Sequence, residues 1–258
     1  MPFATAAGRS VAYEWLGDAS AKRASGKPTL VFLHEGLGSI RQWREFPAKV
    51  AAATGCRALL YDRYGYGQSD VLAERKRTVR FMHDEALLAL PELLHSLQVA
   101  SPLLIGHSDG ASIALIHAGA GHAVHGVVAM APHVFIEPLC LNSIVDAAKA
   151  FEATDLGEKL GRYHRDARKT FYGWADVWLD ADFKGWDIRG DYLPKIRCPV
   201  LAIQGYDDVY GTMAQLDELA ARVKGPCELM KLKDCGHAPF REQPEQTLAA
   251  VSRFVSGL

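Results

Sequence analysis

Residues 103–110 read Leu-Leu-Ile-Gly-His-Ser-Asp-Gly, an apolar run that ends with Ser108 between Gly106 and Gly110. A serine hydroxyl becomes useful for attack when a sharp strand-to-helix turn lifts it clear of the sheet. That turn is so tight that the positions two before and two after must be small. The helix-compatible residues 111–118 follow at once. The backbone N–H of Asp109 then stands at a helix start, where it can face an oxygen that becomes negative during reaction. A serine nucleophile also needs a base and a carboxylate to orient the base. An apolar run and a later expected strand end in such groups. Residues 199–204 lead into Gly205-Tyr206-Asp207-Asp208, and residues 227–232 lead into Asp234-Cys235-Gly236-His237. Each partner comes just past an expected late strand.

Two further segments carry a family likeness. His34-Glu35-Gly36-Leu37-Gly38-Ser39 resembles the oxyanion loop that follows the third strand of the α/β-hydrolase superfamily. The stretch Asp62-Arg63-Tyr64-Gly65-Tyr66-Gly67-Gln68-Ser69 is similar to that family's turn after the fourth strand. With the serine, acid and histidine segments, five pieces stand in the family's order, and the resemblance covers nearly the whole chain. It implies Ser108 as nucleophile, His237 as general base and Asp208 as the orienting acid, with Asp207 as the alternative. It also implies the backbone N–H groups of Gly36 and Asp109 as oxyanion donors. One departure stands out: the residue after the loop histidine is commonly glycine and here is Glu35. A carboxylate beside a developing oxyanion would repel it. Glu35 is therefore expected to point away into solvent or a salt bridge, or to meet a polar substrate group or a structural partner.

The elements expected to position these groups alternate. Residues 11–16 read as an early strand after a Gly8-Arg9 turn, and 29–33 and 57–61 as strands covered on both faces. Between the latter two, 40–53 reads as a helix with Trp43 and Phe46 facing the sheet. Residues 79–97 read as a longer helix with Leu87, Leu88, Leu90, Leu93 and Leu94 on one buried face, kinked or split by Pro91. Strand 124–130 and helices 210–222 and 244–256 complete the pattern, the last opening on a proline. Such alternation makes an α/β fold, a mostly parallel central sheet with helices on both faces, whose reactive groups gather beyond the carboxyl ends of the strands.

Between residues 131 and 197 the alternation stops and the sequence turns helical and aromatic-rich, with Trp174, Trp178 and Trp186 beside Phe171, Tyr172 and Phe183. This predicts a small helical cap, 133–195, inserted into a core domain formed by 1–132 and 196–258. Glu35, Leu37, His133, Trp174 and Trp178 are the candidate pocket residues, although the i, i+4 spacing of the two tryptophans also suits plain packing.

At 258 residues, 49% hydrophobic and 23% charged, the chain has the composition of one soluble α/β domain with an insertion. A net charge of −1 without runs of one sign gives no electrostatic argument for a nucleic-acid partner. The Arg75-Lys76-Arg77 cluster reads as a solvated loop. The first nine residues lack a secretory pattern, and no window offers the roughly 18 apolar residues of a membrane span. Five cysteines without paired short spacing favour reduced thiols and a cytoplasmic setting, with Cys235 a buried filler. His117, His122 and His125 read as surface or capping residues, with no metal site. No phosphate loop or dinucleotide fingerprint is present, so no cofactor is implied.

The expectation is a serine hydrolase that cleaves a carboxylic ester or related acyl bond of a small apolar or aromatic substrate through an acyl-enzyme. Two alternatives remain at this point. One is the carbon–carbon bond hydrolase or lyase chemistry that the resemblance also implies with the same triad. The other is a weakly catalytic protein that uses the pocket to bind a ligand. Relatives that use an aspartate nucleophile, dehalogenases and epoxide hydrolases, do not fit Ser108. Sequence is silent on oligomeric state.

Overall fold

A computed structural model describes residues 1–17 and 26–258. Among them are strands β1 (Phe3–Ala6), β2 (Arg9–Leu16), β3 (Thr29–Leu33), β4 (Ala58–Tyr61), β5 (Pro102–His107), β6 (Gly126–Met130), β7 (Val200–Gly205) and β8 (Cys227–Leu232). They form one sheet in the order β1-β2-β4-β3-β5-β6-β7-β8. From β4 to β8 every neighbouring pair is parallel, whereas β1–β2 and β2–β4 are antiparallel. Register aligns the strand ends. Leu33 lies opposite Gly106, His107 opposite Met130, and Gly205 opposite Leu232. The loops that begin at His34, Ser108, Tyr206 and Lys233 therefore leave one edge of the sheet.

The parallel strands are apolar on both faces, and alternation splits them between two cores. Val31, Leu33, Leu104, Val127 and Ala202 face one layer of helices. Leu30, Phe32, Leu103, Ile105, Val128 and Leu201 face the other. The described helices are α1 (Phe46–Thr54), α2 (Phe81–Asp84), α3 (Leu90–Ser96), α4 (Asp109–Gly119), α5 (Pro138–Ala153), α6 (Leu156–Gly161), α7 (Ala167–Trp178), α8 (Ala214–Arg222), α9 (Pro239–Glu242) and α10 (Pro244–Ser256). Helices α5 to α7 all come from the segment between β6 and β7. No helix among the described residues is long and apolar enough to cross a membrane.

Several elements differ from the sequence expectation for definite reasons. Strand β1 has no apolar pattern of its own. It forms because Ala7 and Gly8 both take positive φ, 47° and 71°, which folds it back on β2 as a two-residue hairpin. The helix expected over 40–53 breaks at Arg44, where φ is 53°, into a 3-10 turn (Ile40–Trp43) and α1. Trp43 and Phe46 are buried as expected. Between α2 and α3 a π-helical turn (Glu85–Ala89) accommodates Pro91, which has no N–H and whose ring would meet the carbonyl four residues earlier. The extra residue turns Leu88 out to solvent, 57% exposed, away from buried Leu90, Leu93 and Leu94. The basic cluster is paired and not freely solvated: Arg75 Nε meets Asp176 at 2.9 Å, Lys76 pairs with Asp180, and Arg77 donates to the Tyr64 carbonyl. His117 is buried, with Nδ1 2.8 Å from the Ala86 carbonyl and its ring stacked on His122.

Candidate active site

Ser108 sits between β5 and α4 with φ 53° and ψ −121°. A side chain rarely tolerates this conformation, and the sheet holds it through the Ser108 N–H bond to the Met130 carbonyl at 2.9 Å. The flanking glycines are required by close approach. A Cβ on Gly106 would lie 2.3 Å from the Gly110 carbonyl oxygen, and one on Gly110 would lie 2.0 Å from the Leu33 carbonyl oxygen. Backbone cannot yield there as a flexible side chain can.

The acid and histidine loops meet because β7 and β8 end side by side. Gly205 packs so closely on the next loop that a Cβ would stand 1.9 Å from the Cys235 carbonyl oxygen. Asp207 N–H donates to that carbonyl at 2.9 Å, which leaves the Asp207 side chain in solvent and turns Asp208 inward. His237 Nδ1 lies 2.9 Å from both carboxylate oxygens of Asp208. Burial would raise the Asp208 pKa, but the His237 hydrogen bond and charge and the Tyr210 N–H together hold it below its ordinary value. With Nδ1 committed as donor to Asp208, the Nε2 lone pair of neutral His237 is available as a base. Glu242 fixes this loop by accepting from the N–H groups of Gly236 at 2.7 Å and Ala238 at 2.9 Å.

The loop after β3 is shaped from beneath. His34 is fully buried, its Nδ1–H donates to the Glu35 carbonyl at 2.8 Å, and its Nε2 accepts the Arg63 N–H at 3.1 Å. Burial, then the Arg63 charge, keeps this imidazole well below its ordinary pKa. The Arg63 guanidinium also donates to the carbonyls of His34 and Glu35. Asp62 accepts from Ile40 N–H at 2.7 Å and Gln68 N–H at 2.8 Å, which ties the two glycine-rich loops together. His164, from the segment between β6 and β7, bridges both, accepting from Gly67 N–H at 2.9 Å and donating to the Leu37 carbonyl at 3.0 Å. The N–H groups of Gly36 and Asp109 have no hydrogen-bond partner among the described residues, so both are free to receive an anion.

Glu35 turns to structural partners. Its carboxylate lies 3.4 Å from His107 Nδ1 and 3.6 Å from the Arg241 guanidinium. Burial opposes the charge, but His107 above all, with Arg241 and His34, holds the Glu35 pKa far below the carboxylate range. His107 Nε2 in turn lies 2.7 Å from the His237 carbonyl. Both ring nitrogens of His107 thus face acceptors. The carboxylate of Asp109 is buried as well. Neither of its oxygens is hydrogen-bonded, and burial raises its pKa against the opposing charges of Arg63 and Arg77.

A cavity of ≈ 90 Å³ opens beside these groups and is lined by Ser108, His237, Gly36 and Asp109. All five candidate pocket residues, Glu35, Leu37, His133, Trp174 and Trp178, line it. Trp186 does not; with Phe183 it packs behind Trp178. Cys140 and Ile144 of α5 and Tyr210 complete the wall. The i, i+4 pair on α5 was a signal that could have found the first two, and Tyr210 follows the acid by only two residues. Cys235 is buried, 1% exposed, and burial pushes its thiol up to about 11.

Comparison with known proteins places this geometry in context. A sequence model of the alpha/beta hydrolase family matches residues 30–251. Mouse protein phosphatase methylesterase 1 is 26% identical over 150 residues, which is 58% of this chain and 35% of that protein, so the match spans about a third of the relative's length. The crystal structure of the enol-lactonase from Burkholderia xenovorans LB400 superposes with a TM-score of 0.74 at 21% identity, covering 99% of this chain and 100% of that one. A carboxylesterase structure from the thaumarchaeon Nitrososphaera gargenis gives 0.78 at 19% identity, covering 99% and 98%.

Proposed function

This chain belongs to the alpha/beta hydrolase family, and on that premise we propose that it is a serine hydrolase that cleaves a carboxylic ester, cyclic or open, of a small substrate. The observation that carries the reading is the shared cavity. Ser108, on its strained turn, and His237, whose Nδ1 is held by Asp208, line the same small space as the free N–H groups of Gly36 and Asp109. The names of a methylesterase, an enol-lactonase and a carboxylesterase among its relatives agree with an ester as the bond attacked.

In this mechanism His237 Nε2 takes the proton from Ser108 Oγ as the oxygen attacks the ester carbonyl, and Asp208 stabilises the imidazolium that results. The carbonyl oxygen becomes an oxyanion held by the two N–H groups, each typically worth about 10²- to 10³-fold in rate. Collapse breaks the bond to the alcohol oxygen, which takes the proton from His237. Water, deprotonated by the same imidazole, then attacks the acyl-enzyme, and His237 returns the proton to Ser108. Helices α5 to α7 act as the cap of the site, with α5 and α7 supplying the walls that exclude bulk water. Ser108→Ala is expected to lower turnover of short p-nitrophenyl esters by at least about 10³-fold, and a serine-directed fluorophosphonate should label the wild type at Ser108. Unchanged turnover in the variant would remove Ser108 from the chemistry.

A further inference from the structure

Among the polar side chains of the cavity wall that the mechanism does not use are two neutral ones beside the base, His133 and Tyr210. His133 follows β6 and is 2% exposed. Its backbone is pinned, the N–H donating to Ser112 Oγ at 3.1 Å and the carbonyl accepting from that hydroxyl at 2.7 Å. Its ring is unbonded. Nδ1 is buried without a partner, and neither ring nitrogen has a hydrogen bond to any described residue. The Tyr210 hydroxyl likewise has no protein partner among the described residues, although the Tyr210 N–H is held by Asp208 at 2.8 Å. Both rings flank the base, with centroids 6.1 Å (His133) and 4.7 Å (Tyr210) from that of His237, and Trp178 backs His133 at 5.0 Å.

A buried polar atom left unpaired costs about 1–3 kcal/mol, so a wall that keeps His133 Nδ1 in this state beside the accessible Tyr210 hydroxyl is organised to receive a partner. Burial, reinforced by the neighbouring His237, pushes the His133 pKa down to about 3. At neutral pH the ring is therefore uncharged and offers one N–H donor and one lone pair. Tyr210 offers a hydroxyl of the same dual character. Neutral groups of this kind match a hydroxyl or keto oxygen and give no ionic attraction to a carboxylate or ammonium. In this reading the cavity holds the part of the substrate that stays on Ser108, since the alcohol has to depart and admit water.

Building on the ester-hydrolase reading, we propose that His133 and Tyr210 form a hydrogen-bonding subsite for a hydroxyl or keto group on the acyl portion of the substrate, a few bonds from the reacting carbonyl. This makes the natural substrate a short hydroxyacyl or oxoacyl ester, in place of the plain apolar acyl group that the aromatic wall suggests. A pocket built to pair a hydroxyl discriminates against the analogue lacking it, because its own polar groups are then left unsatisfied.

The test compares kcat/KM for p-nitrophenyl 3-hydroxybutyrate and p-nitrophenyl butyrate, as a ratio within each protein. The wild type should favour the hydroxy ester by at least about ten-fold. His133→Phe and Tyr210→Phe should each bring the ratio close to one, and either variant serves if the other fails to fold. A wild-type ratio near one overturns the subsite and leaves a buried water as the partner of His133. So does a preference that survives both substitutions, or hydrolysis of neither ester by protein that a fluorophosphonate labels at Ser108. Absence of labelling instead removes the hydrolase reading on which the subsite rests.

Discussion

Glu35, His107 and the His237 carbonyl form a line of contacts linking the loop after β3, the end of β5 and the histidine loop. A leucine at position 107 keeps the bulk and removes the donor to the His237 carbonyl. His107→Leu is expected to lower kcat by about 10- to 100-fold with little change in KM, as small misplacements of catalytic groups do. His107→Gln, which retains an N–H at similar reach, should lose less, and steady-state kinetics on one ester distinguishes the two. The Glu35 charge also has a stability consequence. Its pKa is lower in the folded chain than in the unfolded one, so its contribution is present above the ordinary carboxylate range and is lost as pH falls through the lowered value. Glu35→Gln should therefore reduce the difference in melting temperature between neutral and strongly acidic buffer. At this scale the sequence was legible where chemistry imposes a local pattern. Ser108 is marked by its two glycines, and His237 and Asp208 by the strands before them. The role of Glu35 was not legible, because its partner His107 lies 72 positions away and no local rule pairs them.

Among the elements, the loop after β3 takes its shape in part from a distant segment of the chain. A Cβ on Gly36 would lie 2.2 Å from Trp174 Nε1, so the backbone presenting this N–H is packed against α7. On the proposed mechanism, Gly36→Ala should displace this N–H and cost up to about 10²- to 10³-fold in kcat, the usual value of one oxyanion donor. Combining it with Trp174→Leu, which makes room, should recover part of the loss. Gly110→Ala has no such escape, because its obstacle is the Leu33 backbone. It should lower stability by at least about 3 kcal/mol, measurable by urea unfolding. Interior parallel strands were readable because burial on both faces writes a continuous apolar run, and residues 227–232 and 244–256 also coincide with the partly exposed edge strand β8 and with α10. Strand β1, the break at Arg44 and the π-helical turn before Pro91 were not. Each depends on a backbone conformation at one or two residues, and periodicity does not report it. The expected helix over 210–222 begins only at Ala214, because the preceding residues are committed to the acid loop, where Glu137 accepts from Thr212 and Gln215.

Across the whole molecule, four buried histidines share one electrostatic fate. His34, His117, His133 and His164 all have pKa values lowered chiefly by burial, to about 4 for His117 and about 3 for His133. In the unfolded chain these rings take up protons near pH 6.5, and in the folded chain they resist doing so. Their contribution is complete above that pH and is lost as pH falls toward the lowered values, at up to about 1.4 kcal/mol per pH unit for each ring. Stability measured by denaturant titration should therefore begin to fall near pH 6, above the range in which carboxylates titrate. His117→Phe should make that fall shallower. The turn at Ser108 has a different consequence. Glycine is the only residue at ease with its backbone angles, so Ser108→Gly should abolish turnover yet raise the melting temperature by about 2–4 °C, for roughly 1 kcal/mol of relief. On the proposed mechanism, durability and reactivity then oppose each other at a single codon, and drift toward a hardier, inert descendant is one substitution away.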